Sequence, residues 1–171
     1  AIGLEDYDRA LDYFKVARSF LEEMQGVEEE LIRNTNNMGM VYRDKQDFDR
    51  AIQYFKEIVE TDAIQKKYPA LYAKALNSLA YCLTELGNWN SVPQLIEESI
   101  RINDSLGDLQ GLASAYSKYA QFHWNQNDTL QAIMFSEKAL DIAIENNEMV
   151  RLLEELAFLS QVDTKNASRH A

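Results

Sequence analysis

The stretch that decides the fold is residues 38–55, MGMVYRDKQDFDRAIQYF. It recurs at matched offsets as residues 79–96, LAYCLTELGNWNSVPQLI, and as residues 119–136, YAQFHWNQNDTLQAIMFS. Each copy has a small residue in second place, then a turn that contains Asp, Asn or Gly, and then a second helical segment. Small residues on both sides of a turn, repeated at a fixed spacing, are typical of stacked helical hairpins. The pattern therefore predicts an all-α repeat fold.

The copies can be phased on the small residues Gly39, Ala80 and Ala120, and more faintly on Ala157, with spacings of 41, 40 and 37 residues. Each unit is then a helix A, a tight turn and a helix B. In the first unit we expect these helices at 27–45 and 47–64. The predicted organisation of the whole chain is helix B of an incomplete repeat at 3–25, complete repeats at 27–64, 70–106 and 109–146, helix A of a further repeat at 149–162, and a loose polar tail at 163–171. Such a chain would be a fragment of a longer array.

Turn residues fix where the helices end. Gly87 and Asn127 can adopt the left-handed conformation that closes a helix. Pro93 is compatible only with the first turn of a helix. Asp47, either Asn88 or Ser91, and Asp128 are the predicted N-caps. Their side-chain oxygens can accept hydrogen bonds from the free N–H groups in the first turn of the following helix.

The charge of the chain limits its partners. It has 17 basic and 28 acidic residues, a formal net charge of −11. This balance disfavours nucleic acid and anionic membrane surfaces, because Lys and Arg drive binding to phosphates. No apolar run approaches the ~20 residues that span a bilayer. The single cysteine, Cys82, fits a reducing compartment, and we expect a cytoplasmic protein.

Residues for catalysis are scarce. His123 falls in a packing position, His170 lies in the tail, and Cys82 lies beside the small residue of its helix. No set of His, Cys, Asp and Glu has the spacing of metal ligands, and no Gly-rich phosphate loop occurs. We expect no enzyme activity, no cofactor and no metal.

The combined pattern resembles the tetratricopeptide repeat (TPR) family over about residues 3–162. The first copy carries the resemblance best, from Met38-Gly39 and Tyr42 to Asp47-Phe48, Ala51 and Phe55. The resemblance implies a right-handed superhelical solenoid of antiparallel helix-turn-helix hairpins. The period near 40 residues is similar to that of regulatory and sensor TPR arrays. Departures from the family pattern occur at Ile58, Val92, Ser99, His123 and Ser136.

The resemblance also implies a concave groove lined by the A helices. Its exposed positions would lie three before, one after and four after each small residue, with one more position a turn earlier. On this chain they are Arg33, Asn36, Met40, Arg43, Lys74, Asn77, Tyr81, Thr84, Ser114, Ser117, Gln121 and Trp124. All of them except Thr84 and Ser114 are our ten candidate binding residues.

This set is basic and polar and contains no carboxylate, although Asp44 and Glu85 follow it directly. Asn side chains can bond a peptide backbone as donor and acceptor, and Arg and Lys favour carboxylates. An alternative interpretation is that these are ordinary exposed polar residues and that Trp124 packs on a neighbouring repeat. The Lys and Asn clamp with which some TPR modules hold a C-terminal carboxylate does not match, because Asn36 and Asn77 occupy its Lys positions.

Three functions follow as hypotheses. The first is a non-catalytic scaffold or sensor module of a larger regulatory or signalling protein. This module would bind a protein or peptide segment in the groove, and the basic groove residues favour an acidic segment. The second is self-association, such as a homodimer, through the exposed terminal helices or the convex face. The third is an accessory surface that acts on a partner enzyme such as a phosphatase.

Overall fold

Helix-forming residues dominate the chain, which has 6 Gly and 2 Pro. The computed structural model describes the backbone of residues 4–169 and the side chains of residues 6–162. These residues form no strand. They form nine helices: α1 (Leu4–Glu22), α2 (Glu28–Asp44), α3 (Phe48–Val59), α4 (Asp62–Lys67), α5 (Pro69–Glu85), α6 (Val92–Leu106), α7 (Leu109–Asn125), α8 (Thr129–Glu145) and α9 (Met149–Arg169).

Three helical hairpins carry the three copies of the pattern: α2 with α3, α5 with α6, and α7 with α8. The second helix of each hairpin also packs on the first helix of the next one, as α3 does on α5, α6 on α7 and α8 on α9. Helix α1 packs on α2 in the same order. The predicted all-α solenoid of antiparallel hairpins is confirmed.

The hairpin turns share one geometry. Gln46, Gly87 and Asn127 all have positive φ, at 61°, 74° and 61°. In each turn the next residue donates its N–H to a carbonyl five residues back, at 2.8–2.9 Å, which closes the helix in a Schellman motif. The predicted left-handed conformation of Gly87 and Asn127 is confirmed, whereas Gln46 takes it without the advantage that glycine or asparagine would give.

The predicted N-caps differ between hairpins. Asp47 accepts from Arg50 N at 3.3 Å, and Asp128 accepts from Gln131 N at 3.2 Å. Ser91 precedes α6 without a side-chain cap bond, and α6 has proline in its first turn as expected. The cap of α7 is Asp108, which accepts from Gly111 N at 2.9 Å.

The small residues lie where paired helices come closest. A Cβ at Gly39 would be 2.7 Å from Cε1 of Phe55, so α2 and α3 meet with no space for a side chain. Ala51 and Ala132, on the second helices of their hairpins, have no exposed surface.

Polar departures from the family pattern are bonded to another helix. Ser99 Oγ donates to the carbonyl of Ala73 at 3.0 Å, and Ser136 Oγ donates to Glu155 Oε2 at 2.7 Å. Each serine therefore keeps the small volume that the contact requires and satisfies its hydroxyl, which a buried polar group must do.

The predicted helix over 47–64 is wrong. Helix α3 ends at Val59, and the separate helix α4 begins at Asp62. The break lies at Thr61, whose backbone is extended, with φ −105° and ψ 98°. Its hydroxyl donates to the carbonyl of Glu57 at 3.0 Å. Threonine side chains that bond nearby backbone groups compete with helical continuation.

The ends of the chain also differ from expectation. The tail predicted to be loose from 163 continues α9 as helix to Arg169, because no Gly or Pro follows Met149 to stop it. Residues 170–171 of that tail, His170 among them, lie outside the described residues, as does residue 3. At the other end α1 stops at Glu22, short of the predicted 25.

Candidate functional site

The inner face of the solenoid contains two adjoining cavities. The larger has a volume of about 660 Å³ and is lined mainly by residues of α2, α5 and α7. The smaller has a volume of about 410 Å³ and is lined by Phe48, Tyr81 and their polar neighbours. Arg43 and Lys118 line both cavities, so they lie where the two adjoin. We refer to the two cavities together as the groove.

Six of the ten residues that the sequence favoured for binding line the groove. The larger cavity contains Arg33, Met40, Arg43, Lys74 and Asn77. The smaller contains Arg43 and Tyr81. Ser114, from the wider set of twelve positions, also lines the larger cavity. In the first two hairpins, most of the A-helix offsets thus fall on the lining of these cavities.

The other four residues line neither cavity. Asn36 donates to Met40 Sδ at 3.3 Å, and Gln121 donates to Asn125 Oδ1 at 3.1 Å. The ring of Trp124 lies edge-on to that of Phe158 in α9, with centroids 6.0 Å apart. Trp124 thus packs on the neighbouring helix, as the alternative interpretation held.

Ser117 is the fourth, and it belongs to a network that fastens α9 to α7 and α8. Its hydroxyl bonds Glu155 and accepts from Arg151 Nη1 at 3.2 Å. The other oxygen of Glu155 accepts from Ser136. Glu155 is buried at 4% exposure, and no sequence offset singled out this carboxylate or Arg151.

The expected exposure is wrong at three of the twelve positions. Asn36, Asn77 and Thr84 are buried at 2%, 5% and 3% exposure. The reason is that the A helices pack on one another, α2 on α5 and α5 on α7. Thr84 satisfies its hydroxyl on the carbonyl of Ala80 at 2.9 Å. The amide oxygens of Asn36 and Asn77, at equivalent positions of two hairpins, have no hydrogen-bond partner in the described part of the chain.

Asn77 is the more informative of the two, because it lines the larger cavity. A buried carbonyl oxygen without a donor costs free energy. A ligand in the cavity that offers an N–H group would remove this cost. Peptide backbone is such a ligand, since each residue except proline carries one N–H donor.

Carboxylates balance part of the positive charge of the groove. Arg33 pairs with Glu29 within α2, and Arg43 pairs with Asp44 at 2.7 Å. Lys74 is exposed. No described carboxylate lies within 4.0 Å of the Lys74 ammonium, and the same is true of Lys118.

Lys118 is the residue of the groove that sequence reasoning missed. It stands two before the small residue Ala120, an offset that was not considered. Its ammonium lies 4.8 Å from the centroid of the Tyr81 ring. Burial lowers the pKa of Lys118, and repulsion from Arg43 and Arg151 lowers it further. A usable signal did exist, because Lys118 is the only Lys or Arg in α7.

The two side chains considered for chemistry have packing environments. Cys82 is fully buried, and burial raises the pKa of its thiol to about 12. His123 stacks on Phe135 with centroids 5.4 Å apart, and burial lowers its pKa. Within the described residues, no three His, Cys, Asp or Glu side chains are grouped to hold a metal ion, and no helix has the length and apolar character of a membrane span.

Fold and groove together define an α-helical solenoid with a groove on its inner face. The tetratricopeptide repeat family matches residues 33–64 and 113–143, which are most of the first hairpin and most of the third. The chain thus contains tetratricopeptide repeats, which generally mediate protein–protein interaction. No curated protein matches the chain significantly.

Proposed function

We propose that this chain is a non-catalytic binding module that holds an extended protein or peptide segment in its groove, as the scaffold or sensor part of a larger regulatory protein. The observation that carries the proposal is Asn77, which lines the larger cavity and whose buried amide oxygen has no hydrogen-bond donor among the described residues. Two unpaired cations, Lys74 and Lys118, line the same cavity. Together they favour a ligand with backbone N–H groups and negative charge, which is an acidic peptide.

A random peptide library displayed on phage tests this proposal. Selected peptides should bind the chain and should lose binding to a variant with Arg43→Glu and Lys74→Glu, because the reversed charges repel an acidic segment. The matched control carries Arg50→Glu and Lys138→Glu. It changes the net charge equally and also removes cations that lie over tyrosine rings, but neither residue lines the groove.

The circular dichroism of both variants should equal that of the parent chain, which shows that they fold. Peptides that bind both variants equally well would place the binding surface outside the groove. A library that yields no binding peptide would argue against a peptide-binding function altogether.

A second candidate is self-association through the terminal helices. Helix α1 exposes large apolar side chains along one face, namely Tyr13, Val16 and Phe20. Contiguous exposed apolar patches mark interaction surfaces. Helix α9 exposes Val150 and Leu153. Because α1 matches the helix B pattern and α9 the helix A pattern, we propose that α1 of one copy packs on α9 of another.

Sedimentation velocity over a range of concentrations tests this pairing. The chain should gain mass with concentration, and Phe20→Lys should abolish the gain. Leu130→Lys is the control, because Leu130 is 81% exposed but lies on α8. A monomer mass at every concentration would refute self-association.

A further inference from the structure

Two cations share one aromatic ring at the junction of the cavities. The Lys118 ammonium lies 4.8 Å from the centroid of the Tyr81 ring, and the guanidinium carbon of Arg43 lies 6.0 Å from it. The two residues come from α7 and α2, and the ring comes from α5. Three helices therefore bring like charges together on a surface that is only partly open to solvent.

The charges at this junction do not cancel. Both Nε and Nη2 of Arg43 donate to Asp44, at 2.9 and 2.7 Å. Arg151, across the larger cavity, has Glu148 Oε2 at 3.4 Å from its Nε. Lys118 has no such counter-charge within 4.0 Å among the described side chains. Of the three cations, Lys118 is the one without a carboxylate partner among the described side chains.

Helix α9 does supply carboxylates in the vicinity of Lys118, but they are committed elsewhere or too distant for a pair. Both oxygens of Glu155 are bonded, one to Ser117 and one to Ser136. Glu154 attracts Lys118 only weakly, since burial and the two arginines outweigh it and the pKa of Lys118 is lowered. A half-buried ammonium without a partner is unfavourable, and an anion beside it would relieve the cost.

We propose that Lys118, with Arg43 and Arg151, forms a subsite beside the Tyr81 ring that binds a carboxylate side chain of the peptide. This inference rests on the proposed function, because the acidic residue would belong to the segment that lies in the groove. Asn77 lines the same cavity and would accept a backbone N–H of that segment.

The charge of the site selects a carboxylate in preference to a phosphoryl group. Within the subsite of Lys118, Arg43 and Arg151, one surplus positive charge remains after the arginine pairs are counted, and one carboxylate neutralises it. A phosphorylated side chain carries about −1.5 to −2 at neutral pH, and it would leave excess negative charge beside Asp44 and Glu155.

NMR of the chain labelled in its lysine side chains tests the subsite, with N-acetyl-glutamate N-methylamide as the probe. The Lys118 signal should shift saturably, and its pKa should rise on binding because the carboxylate stabilises the ammonium. The groups that face Lys118 and enter this titration are Tyr81 from α5, Arg43 from α2, and Arg151, Glu154 and Glu155 from α9. N-acetyl-glutamine N-methylamide, which has the same shape without the charge, should cause no saturable shift.

Two variants sharpen the comparison, with binding read from the backbone signals of Tyr81 and Arg43. Lys118→Gln should weaken binding of the glutamate probe about tenfold or more, which is the loss expected for one charge-assisted hydrogen bond. Lys138→Gln removes a lysine that also lies over a tyrosine ring, 5.3 Å from the centroid of Tyr116, and it should leave binding unchanged.

The subsite is overturned if the glutamine probe binds as well as the glutamate probe, or if Lys118 gives no saturable shift. Tighter binding of N-acetyl-O-phosphoserine N-methylamide than of the glutamate probe would overturn the assignment to a carboxylate. These outcomes are separable from failure of the proposed function. Library peptides that bind the groove without an acidic residue would refute the subsite alone.

Discussion

Gly39 faces the ring of Phe55 across the closest contact of α2 with α3. A Cβ at this position would lie 2.7, 2.9 and 3.1 Å from three ring carbons. The closest of these is about 0.7 Å shorter than the 3.4 Å at which ordinary van der Waals contact begins. Phe55 has no exposed surface, so its ring has no open space into which it can move.

Two opposing effects decide the result of Gly39→Ala. Alanine favours the helix over glycine by about 1 kcal/mol in a helix interior. Overpacking of a close-packed core costs typically about 1–3 kcal/mol. Because the clash is with a rigid ring that is fully buried, we expect a cost in the upper part of that range and a net loss of about 1–2 kcal/mol. For a chain of this length that corresponds to a lower melting temperature by about 2–8 °C.

Urea denaturation followed by circular dichroism measures the loss, and a double-mutant cycle with Phe55→Leu isolates its cause. The smaller leucine leaves space for the new methyl group. Gly39→Ala should therefore cost less in the Phe55→Leu background than in the parent chain, which is the coupling expected of residues in contact. A Gly39→Ala variant about 1 kcal/mol more stable than the parent would show that helix propensity alone acts there and would refute the close contact.

Three further predictions concern buried polar groups. Glu155→Ala leaves the hydroxyls of Ser117 and Ser136 without their carboxylate, which should lower the free energy of unfolding by about 1.5–3 kcal/mol. The backbone amides of α9 should then exchange hydrogen faster, and unchanged exchange would contradict the network. Cys82, whose pKa is raised to about 12 by burial, should react with a thiol reagent near pH 8 far more slowly in the folded chain than in denaturant, because the thiolate is the reactive form. The pKa of His123 is lowered in the fold by burial, so the unfolding free energy should fall as the pH drops from about 6.5 through the lower folded value. His123→Phe should remove that part of the pH dependence of the urea midpoint, and an unaltered slope would refute it.

The sequence predicted the hairpins because their physics is local. Gly87 and Asn127 end the helices before them, and Asp128 caps the start of α8; each of these signals acts within a few residues. The structure has the helix ends at these positions. The break at Thr61 was missed since nothing near it is a strong breaker, and the hydroxyl bond to Glu57 becomes visible only in three dimensions. The helical continuation of α9 was missed because polar residues do not by themselves end a helix.

The groove could be predicted only in part, because burial between repeats depends on how neighbouring helices pack. Offsets from the small residues found Arg43, Lys74 and Tyr81, which line the cavities. They could not show that Asn77 is buried with its amide oxygen unpaired, because that depends on helices α2 and α7 on either side.

The offsets from the small residues missed Lys118 for the same reason, although it is the only Lys or Arg in α7. Its importance comes from contacts with side chains 37 or more residues away in sequence, Tyr81 on α5 and Arg43 on α2. In a repeat protein each hairpin contacts mainly its neighbours, so a position that is unremarkable within its own repeat becomes distinctive through the repeats before and after it. The equivalent positions, Asn37 and Ser78, are uncharged. The single lysine at this offset therefore places an unpaired charge at one repeat of the groove, in addition to that of Lys74.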